Sequence, residues 1–174
     1  MAEWQLRFRP EDIRALADRY GYEDDVPVLE AGRRARDSGR FSLKDFLDVC
    51  YWKTPRSRSK CQKNTAEEVK EITGIALRTP VERVRTEVLR CLHGVELPTA
   101  SVLLHIAHRD PYPIIDFRAL WSMGIEKLPR YYSFSFWTQY VHACRLLAQE
   151  HGVDMRTLDR ALWQYSKEHQ PKLR

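Results

Sequence analysis

The sequence lacks a long apolar run. Its longest uncharged apolar stretch covers residues 97–107, whereas a helix that spans a membrane needs about 20 such residues. The N-terminus also lacks the basic start and apolar run of a secretory signal peptide. These absences argue against a membrane partner and predict a cytoplasmic chain, associated with the nucleoid if the source is bacterial.

Cysteine is scarce and scattered. None of the four cysteines belongs to a Cys-x-x-Cys pair, so neither a zinc ribbon nor an iron–sulfur cluster is supported. His105 and His108 share a helix face, but two ligands at that spacing are too few for a metal site. We therefore expect no metal and no cofactor, and isolated cysteines fit a reducing compartment.

The chain also lacks a strong excess of one charge. Lys and Arg number 29 against 24 Asp and Glu, which gives a net charge of +5. This balance permits a nucleic-acid partner without requiring one. With 43% hydrophobic and 30% charged residues, the composition predicts a folded chain. The length suits a single domain over residues 1–174, built as one body or as two helical lobes around a cleft.

Helical periodicity runs along almost the whole sequence. Ser42 precedes the apolar positions of one helix, and Thr65 with Glu68 forms a capping box before another. Apart from a short extended arm over residues 4–9, no alternating pattern suggests a strand. The predicted fold class is all-α. Helices are expected over residues 10–20, 25–37, 42–53, 65–78, 80–92, 98–108, 117–123, 135–151 and 154–169.

One stretch is rich in positive charge. Residues 53–64, called the basic segment below, contain five lysines and arginines and no acid. The segment is predicted to be a loop, because Pro55 disfavours helical geometry at the residue before it. A solvated loop is one interpretation, and a contact to DNA phosphates is the one we favour.

A glycine turn joins two of the expected helices. Leu89 and Leu92 lie on the first helix, Gly94 lies at the bend, and Ala100 and Leu104 lie on the second. The second helix opens with N–H groups that have no helical partner, and such an end attracts phosphate. A hairpin of this kind binds the DNA backbone without reading bases. A plain helical corner is the alternative.

Two short stretches resemble a known family. Residues 92–100 read LHGVELPTA, and residues 110–116 read DPYPIID. They resemble the hairpin and the apolar-Asp motif of the helix-hairpin-helix base-excision DNA glycosylases, the superfamily of endonuclease III and 8-oxoguanine glycosylase. Asp116 follows Gly94 by 22 residues, and the family's catalytic aspartate follows its hairpin at about this distance. The resemblance covers residues 80–124, and a looser one reaches back to Ser42.

The resemblance implies a glycosylase-like helical fold, a monomer, double-stranded DNA as the partner and Asp116 as the catalytic carboxylate. The basic segment would insert into the DNA or clamp it. The residues expected to contact DNA are Gly94, Val95, Glu96, Pro98, Thr99 and Ala100 of the hairpin, with Lys53, Thr54, Arg56, Arg58 and Lys60 of the basic segment.

The sequence departs from the family pattern at several positions. Glu96 replaces the second hairpin glycine, and its carboxylate is unfavourable beside a phosphate. Pro98 stands where bifunctional members carry a nucleophilic lysine, which excludes Schiff-base chemistry at that position. The predicted function is therefore a monofunctional DNA glycosylase that hydrolyses the N-glycosidic bond of a damaged or mispaired base. The alternatives are a non-catalytic DNA-binding protein of the same fold, in which Asp116 only caps a helix, and a helical protein-interaction module.

Overall fold

Helices make up the regular structure of the chain. The computed structural model describes residues 4–22 and 24–171, and within these ranges it contains ten α-helices and no β-strand. The predicted all-α class is confirmed. None of the helices in the described ranges is long and apolar enough to cross a membrane.

The helix bounds follow the predicted ones to within a few residues. Ser42 caps its helix by accepting a hydrogen bond from the Asp45 N–H, and the capping box of Thr65 and Glu68 is formed. The helices are α1 (Ile13–Asp18), α2 (Val26–Ser38), α3 (Leu43–Lys53), α4 (Arg58–Cys61), α5 (Ala66–Arg78), α6 (Glu82–Leu89), α7 (Leu97–Ala107), α8 (Phe117–Ser122), α9 (Phe134–Glu150) and α10 (Met155–His169).

The basic segment is more ordered than the sequence predicted. Instead of a plain loop it contains a 3-10 turn, Pro55–Ser57, followed directly by the short helix α4. Two features account for this difference. Pro55 has the backbone angle that suits the first position of a helical turn, and Cys61 at the end of α4 is completely buried and fixes the segment to the core.

The chain divides into two compact units. Residues 22–110 form the central unit, whereas the two chain ends, residues up to 21 and residues from 111 onward, form the terminal unit. Residues 80–124, which contain the hairpin and Asp116, cross this division. The hairpin belongs to the central unit, and Asp116 belongs to the terminal unit.

The central unit is built around α7. Nine of the eleven residues of α7 are buried, as expected of a helix that is apolar on all sides. α2 approaches α7 closely because Gly32 has no side chain, since a Cβ at that position would lie 2.5 Å from the Ile106 carbonyl oxygen. α3 packs against both α2 and α7, and α5 pairs with α6. The hairpin turn is thereby attached to the most buried helix of the unit.

The terminal unit joins the N-terminal arm to the last helices. The Gln5 N–H donates to the Met123 carbonyl (3.2 Å), and the Arg7 N–H donates to the Ser122 carbonyl (2.9 Å). α1 and α8 both pack against α10, while α9 supplies the buried side chain of Trp137. This packing holds α8, and with it Asp116 at its start, in a fixed position within the unit.

Candidate nucleic-acid interface

The predicted hairpin is formed by α6 and α7. α6 ends at Leu89 and α7 begins at Leu97. Between them the Leu92 N–H donates to the Leu89 carbonyl, and the Val95 N–H donates to the Leu92 carbonyl, both at 3.2 Å. The predicted pair of helices with a turn at Gly94 is confirmed.

Gly94 is required by its backbone and by its surroundings. Its φ angle is +80°, a left-handed conformation that residues with a Cβ adopt at a cost of roughly 1–2 kcal/mol. A Cβ at this position would also lie 2.7 Å from the Cys61 Sγ and 3.0 Å from the Lys60 Cβ. The hairpin turn therefore lies directly against α4, in the middle of the basic segment.

Asn64 joins the two sequence features. Its Nδ2 donates to the His93 carbonyl (3.0 Å) and to the Cys61 carbonyl (2.8 Å), while its Oδ1 accepts from the His93 N–H (2.8 Å). The side chain is buried, with a relative exposure of 5%. The hairpin and the basic segment, which the sequence presented as separate motifs, are thus parts of one surface. Sequence reasoning missed Asn64, since an asparagine before a capping box looks like an ordinary loop residue.

Replacement of Asn64 by alanine is expected to destabilise the central unit by about 2–3 kcal/mol, because three hydrogen bonds of about 1 kcal/mol each are lost. We also expect weaker DNA binding, since the basic segment is no longer tied to the hairpin. Denaturant unfolding measures the first effect and fluorescence anisotropy with a duplex measures the second. The exposed neighbour Gln62→Ala is the control and should change stability by less than about 0.5 kcal/mol. Equal stabilities for both variants would contradict the role of Asn64.

The start of α7 offers a restricted set of N–H groups. The amides of Thr99 and Ala100 both donate to the Glu96 carbonyl at 2.9 Å, and Pro98 has no N–H. The Val95 amide is also engaged, as described above. Within the described chain, no hydrogen-bond acceptor takes the N–H groups of Gly94, Glu96 and Leu97. An anion at this helix end would therefore bind these three amides, a narrower set than the whole predicted stretch.

Glu96 does not cap α7 with its side chain. Its carboxylate lies 3.1 Å from the Arg90 guanidinium in an exposed ion pair, and Arg90 also pairs with Glu87 at 3.0 Å. The carboxylate that was expected from the sequence to disfavour a phosphate is therefore accompanied by a positive charge. This pairing would reduce the repulsion between Glu96 and an anion at this helix end.

The basic segment carries exposed cations, and one of them lies against the turn, since the Lys60 Cβ is 3.0 Å from the Cβ position of Gly94. Arg56, Arg58 and Lys60 are exposed, and none of them forms an ion pair with another residue in the described ranges. The Arg58 guanidinium lies over the ring of the exposed Tyr51, 4.8 Å from its centroid. Lys53 and Thr54 of the predicted set are only half-exposed at the end of α3, so the arginines are the more accessible part of the set.

Two buried cysteines lie under the turn. Cys50 on α3 and Cys61 on α4 are both almost inaccessible to solvent. A hydrogen bond from Cys50 lowers the pKa of Cys61 to about 6, against the opposing effect of burial, and the same bond raises the pKa of Cys50. A thiolate with this pKa is nucleophilic only where a reagent can reach it. Both side chains are buried, and the helices that carry them, α3 and α4, contact each other.

Asp116 lies in the terminal unit, at the N-cap of α8. Its Oδ1 accepts hydrogen bonds from the N–H groups of Arg118 (3.0 Å) and Ala119 (2.9 Å). The carboxylate is half-buried. Burial raises the pKa of Tyr132, and the charge of Asp116 raises it further. The capping role considered from the sequence is present.

The extended approach to Asp116 is held rigidly by α9. The buried hydroxyl of Tyr140 donates to the Ile114 carbonyl at 3.0 Å. The ring of Tyr112 stacks on Trp137 with their centroids 6.1 Å apart, and the Arg145 Nε donates to the Pro111 carbonyl at 2.8 Å. These contacts fix the backbone that leads into Asp116, and so define where its carboxylate points.

The part of the chain that the structure describes contains no group of three or more His, Cys, Asp or Glu side chains suited to a metal ion. His108 instead accepts a hydrogen bond from the Asp110 N–H through its Nδ1 (3.0 Å). Burial lowers the pKa of His108. Comparisons of the chain with protein-family models, with curated proteins and with solved structures find no match.

Proposed function

We propose that this chain binds double-stranded DNA through the hairpin turn and the basic segment, and that it acts as a monofunctional base-excision DNA glycosylase. The observation that carries the DNA contact is the junction at Asn64. It ties the basic segment, which carries exposed cations, to the turn that leads into the helix end whose amides have no acceptor in the described chain. Amides and cations are the two groups that proteins use for phosphate contacts.

The N-terminal end of α7 and the cations of the basic segment both attract a DNA phosphate. The N-terminal end of a helix carries roughly half a positive charge, which falls off within one turn. Arg56 and Arg58 add full charges that are exposed to solvent. A phosphate bound there releases condensed counterions from DNA, so its affinity depends on salt.

Salt dependence tests the DNA contact. We expect Arg56→Ala and Arg58→Ala each to lower the slope of log Kd against log salt by about 1, because each removes one phosphate contact. The measurement is duplex anisotropy across a salt series. Arg33→Ala, an exposed arginine of α2 that pairs with Asp37, is the matched control and should leave the slope unchanged. Unchanged slopes in both basic-segment variants would reject the segment as a contact.

The proposed chemistry rests on Asp116. Hydrolysis breaks the bond between the base nitrogen and C1′ of the sugar, and the electron pair leaves with the base. Positive charge builds on the sugar, and a nearby carboxylate stabilises it. A water oxygen then bonds to C1′, and its proton passes to the carboxylate or to solvent. The target base must first leave the stack.

The product should be an intact abasic site without a covalent protein–DNA adduct. Pro98 stands where the bifunctional glycosylases that the hairpin resembles carry their lysine nucleophile. Proline has no amine that could attack the sugar. We expect no adduct when the reaction is treated with borohydride, and strand cleavage only after alkali. A trapped adduct would contradict the monofunctional assignment.

A specific observation favours the non-catalytic alternative. Both amide bonds of the α8 cap end on the Asp116 Oδ1, a role that needs no chemistry. A DNA-binding protein without catalysis would retain the hairpin and use Asp116 as a cap. A panel of duplexes with damaged bases, treated with alkali and separated on a gel, distinguishes the two candidates, since only the enzyme produces cleavable sites.

A further inference from the structure

A second basic site lies in the central unit, away from the hairpin turn. It is a groove of about 310 Å³ at the C-terminal ends of α2, α5 and α7, and it is lined by Arg36, Gly39, Leu77, Arg78, Ala107 and Arg109. Three of its six lining residues are arginines, and none is acidic. The hairpin turn is at the opposite end of α7, so the groove is not part of the interface described above.

Arg36 has a clear structural role in the groove. Its Nη2 donates to the Ile106 carbonyl (2.9 Å), and its Nε donates to the Ala107 carbonyl (3.3 Å). It therefore satisfies carbonyls at the end of α7 that have no helical partner. The close approach of α2 to α7 at Gly32 places Arg36 within reach of these carbonyls.

Arg78 and Arg109 have no such explanation. Both are exposed, and neither forms an ion pair or a hydrogen bond through its side chain with another residue in the described ranges. The carboxylates next to the groove arginines in sequence have other cationic or basic neighbours. Asp37 lies 3.5 Å from Arg33, and Asp110 lies 3.8 Å from the ring of His108.

The backbone of α5 accommodates the Arg78 guanidinium. A Cβ at Gly74 would lie 3.2 Å from the Arg78 Nη2, so the absence of a side chain at Gly74 lets the guanidinium lie against the helix. A glycine in a helix interior destabilises the helix relative to alanine. Gly74 thus leaves room for the Arg78 guanidinium beside the groove.

We propose that this groove binds a phosphate group. Each helix C-terminus contributes roughly half a negative charge, which three guanidinium groups outweigh. Arginine also matches the oxygens of phosphate with two parallel N–H donors. The group is supplied either by the DNA backbone or by a free phosphate compound, and the site does not depend on the proposed function of the hairpin.

The first experiment tests binding of free phosphate. It compares the melting temperature of the protein in inorganic phosphate with that in chloride at equal ionic strength. We expect the parent to gain about 3 °C in melting temperature at a phosphate concentration about tenfold above Kd. The variant Arg78→Gln/Arg109→Gln should lose this gain, and Arg109→Gln alone, which lies outside any helix, should lose part of it. The control Lys70→Gln/Arg83→Gln removes two exposed charges of the same unit outside the groove and should keep the gain.

The second experiment measures, for the same variants, the slope of log Kd for a DNA duplex against log salt. If the DNA backbone supplies the phosphate, the groove variant lowers the slope by about 2. A slope that stays constant, together with a lost phosphate response, assigns the groove to a free phosphate compound. The basic-segment variants Arg56→Ala and Arg58→Ala should keep the response to free phosphate, which separates this site from the hairpin. Two results would overturn the proposal. In the first, the groove variant keeps the gain in melting temperature that phosphate gives the parent. In the second, phosphate gives the parent no such gain, and the groove variant has the same salt slope for duplex binding as the parent.

Discussion

Replacement of Asp116 by asparagine is expected to reduce the rate of base excision by about a hundredfold or more, with the fold intact. A positioned acid–base group contributes a factor of this size, and a hundredfold loss equals about 2.7 kcal/mol in activation free energy. Asparagine keeps the size of the side chain and an oxygen that accepts the two amide bonds of the α8 cap. It removes the negative charge that, in the proposed chemistry, would stabilise the sugar cation. Single-turnover cleavage of a damaged duplex measures the rate, and unfolding measures the stability.

A second capping aspartate of the terminal unit supplies the control. Asp154 caps α10 by accepting from the Thr157 N–H at 2.8 Å, as Asp116 caps α8. Asp154→Asn should change the free energy of unfolding by about as much as Asp116→Asn does, and it should leave the excision rate unchanged. An Asp116→Asn variant as active as the parent would leave Asp116 with the capping role alone.

Replacement of Gly94 by alanine is expected to destabilise the central unit by about 2–5 kcal/mol and to abolish the proposed DNA binding. The left-handed backbone accounts for roughly 1–2 kcal/mol, and overlap of the new methyl group with its neighbours accounts for roughly 1–3 kcal/mol more. The neighbours are a buried sulfur and the α4 backbone, since the Cys61 N also lies 3.0 Å from the Cβ position. The turn or the α4 backbone must therefore shift. Denaturant unfolding and duplex anisotropy measure the two effects.

Gly39 separates the two contributions. It has a similar φ angle of +74° in the same unit, but nothing lies within 4 Å of its Cβ position. Gly39→Ala should therefore cost only the backbone part, roughly 1–2 kcal/mol. If both variants lose the same stability, the close packing of the turn on α4 is not important.

Local signals explain why the helices could be predicted from the sequence. The caps at Ser42 and Thr65 and the glycine at position 94 act within one helical turn, so their effects can be read without knowing the fold. α4 was missed because its order comes from the burial of Cys61 in the core. A single cysteine among charged residues gives no periodic pattern from which that burial follows.

The candidate site was only partly predictable for the same reason. The hairpin and the basic segment were each found from local sequence. Their junction depends on a side chain of Asn64 that bonds across 29 residues to His93. The arginine groove likewise gathers the ends of three helices that are far apart in sequence. Contacts of this kind arise from packing, which no sequence window contains.

Amide exchange at the start of α7, followed by NMR with and without a duplex, tests whether a DNA phosphate binds at this helix end. The N–H groups of Gly94, Glu96 and Leu97 have no acceptor in the described chain, so bound phosphate should slow their exchange. The amides of Val95, Thr99 and Ala100 already donate to carbonyls and should change little. We expect slower exchange at the first three amides at saturating duplex, reversed by high salt. Unchanged exchange at all three, with the duplex bound, would contradict this expectation.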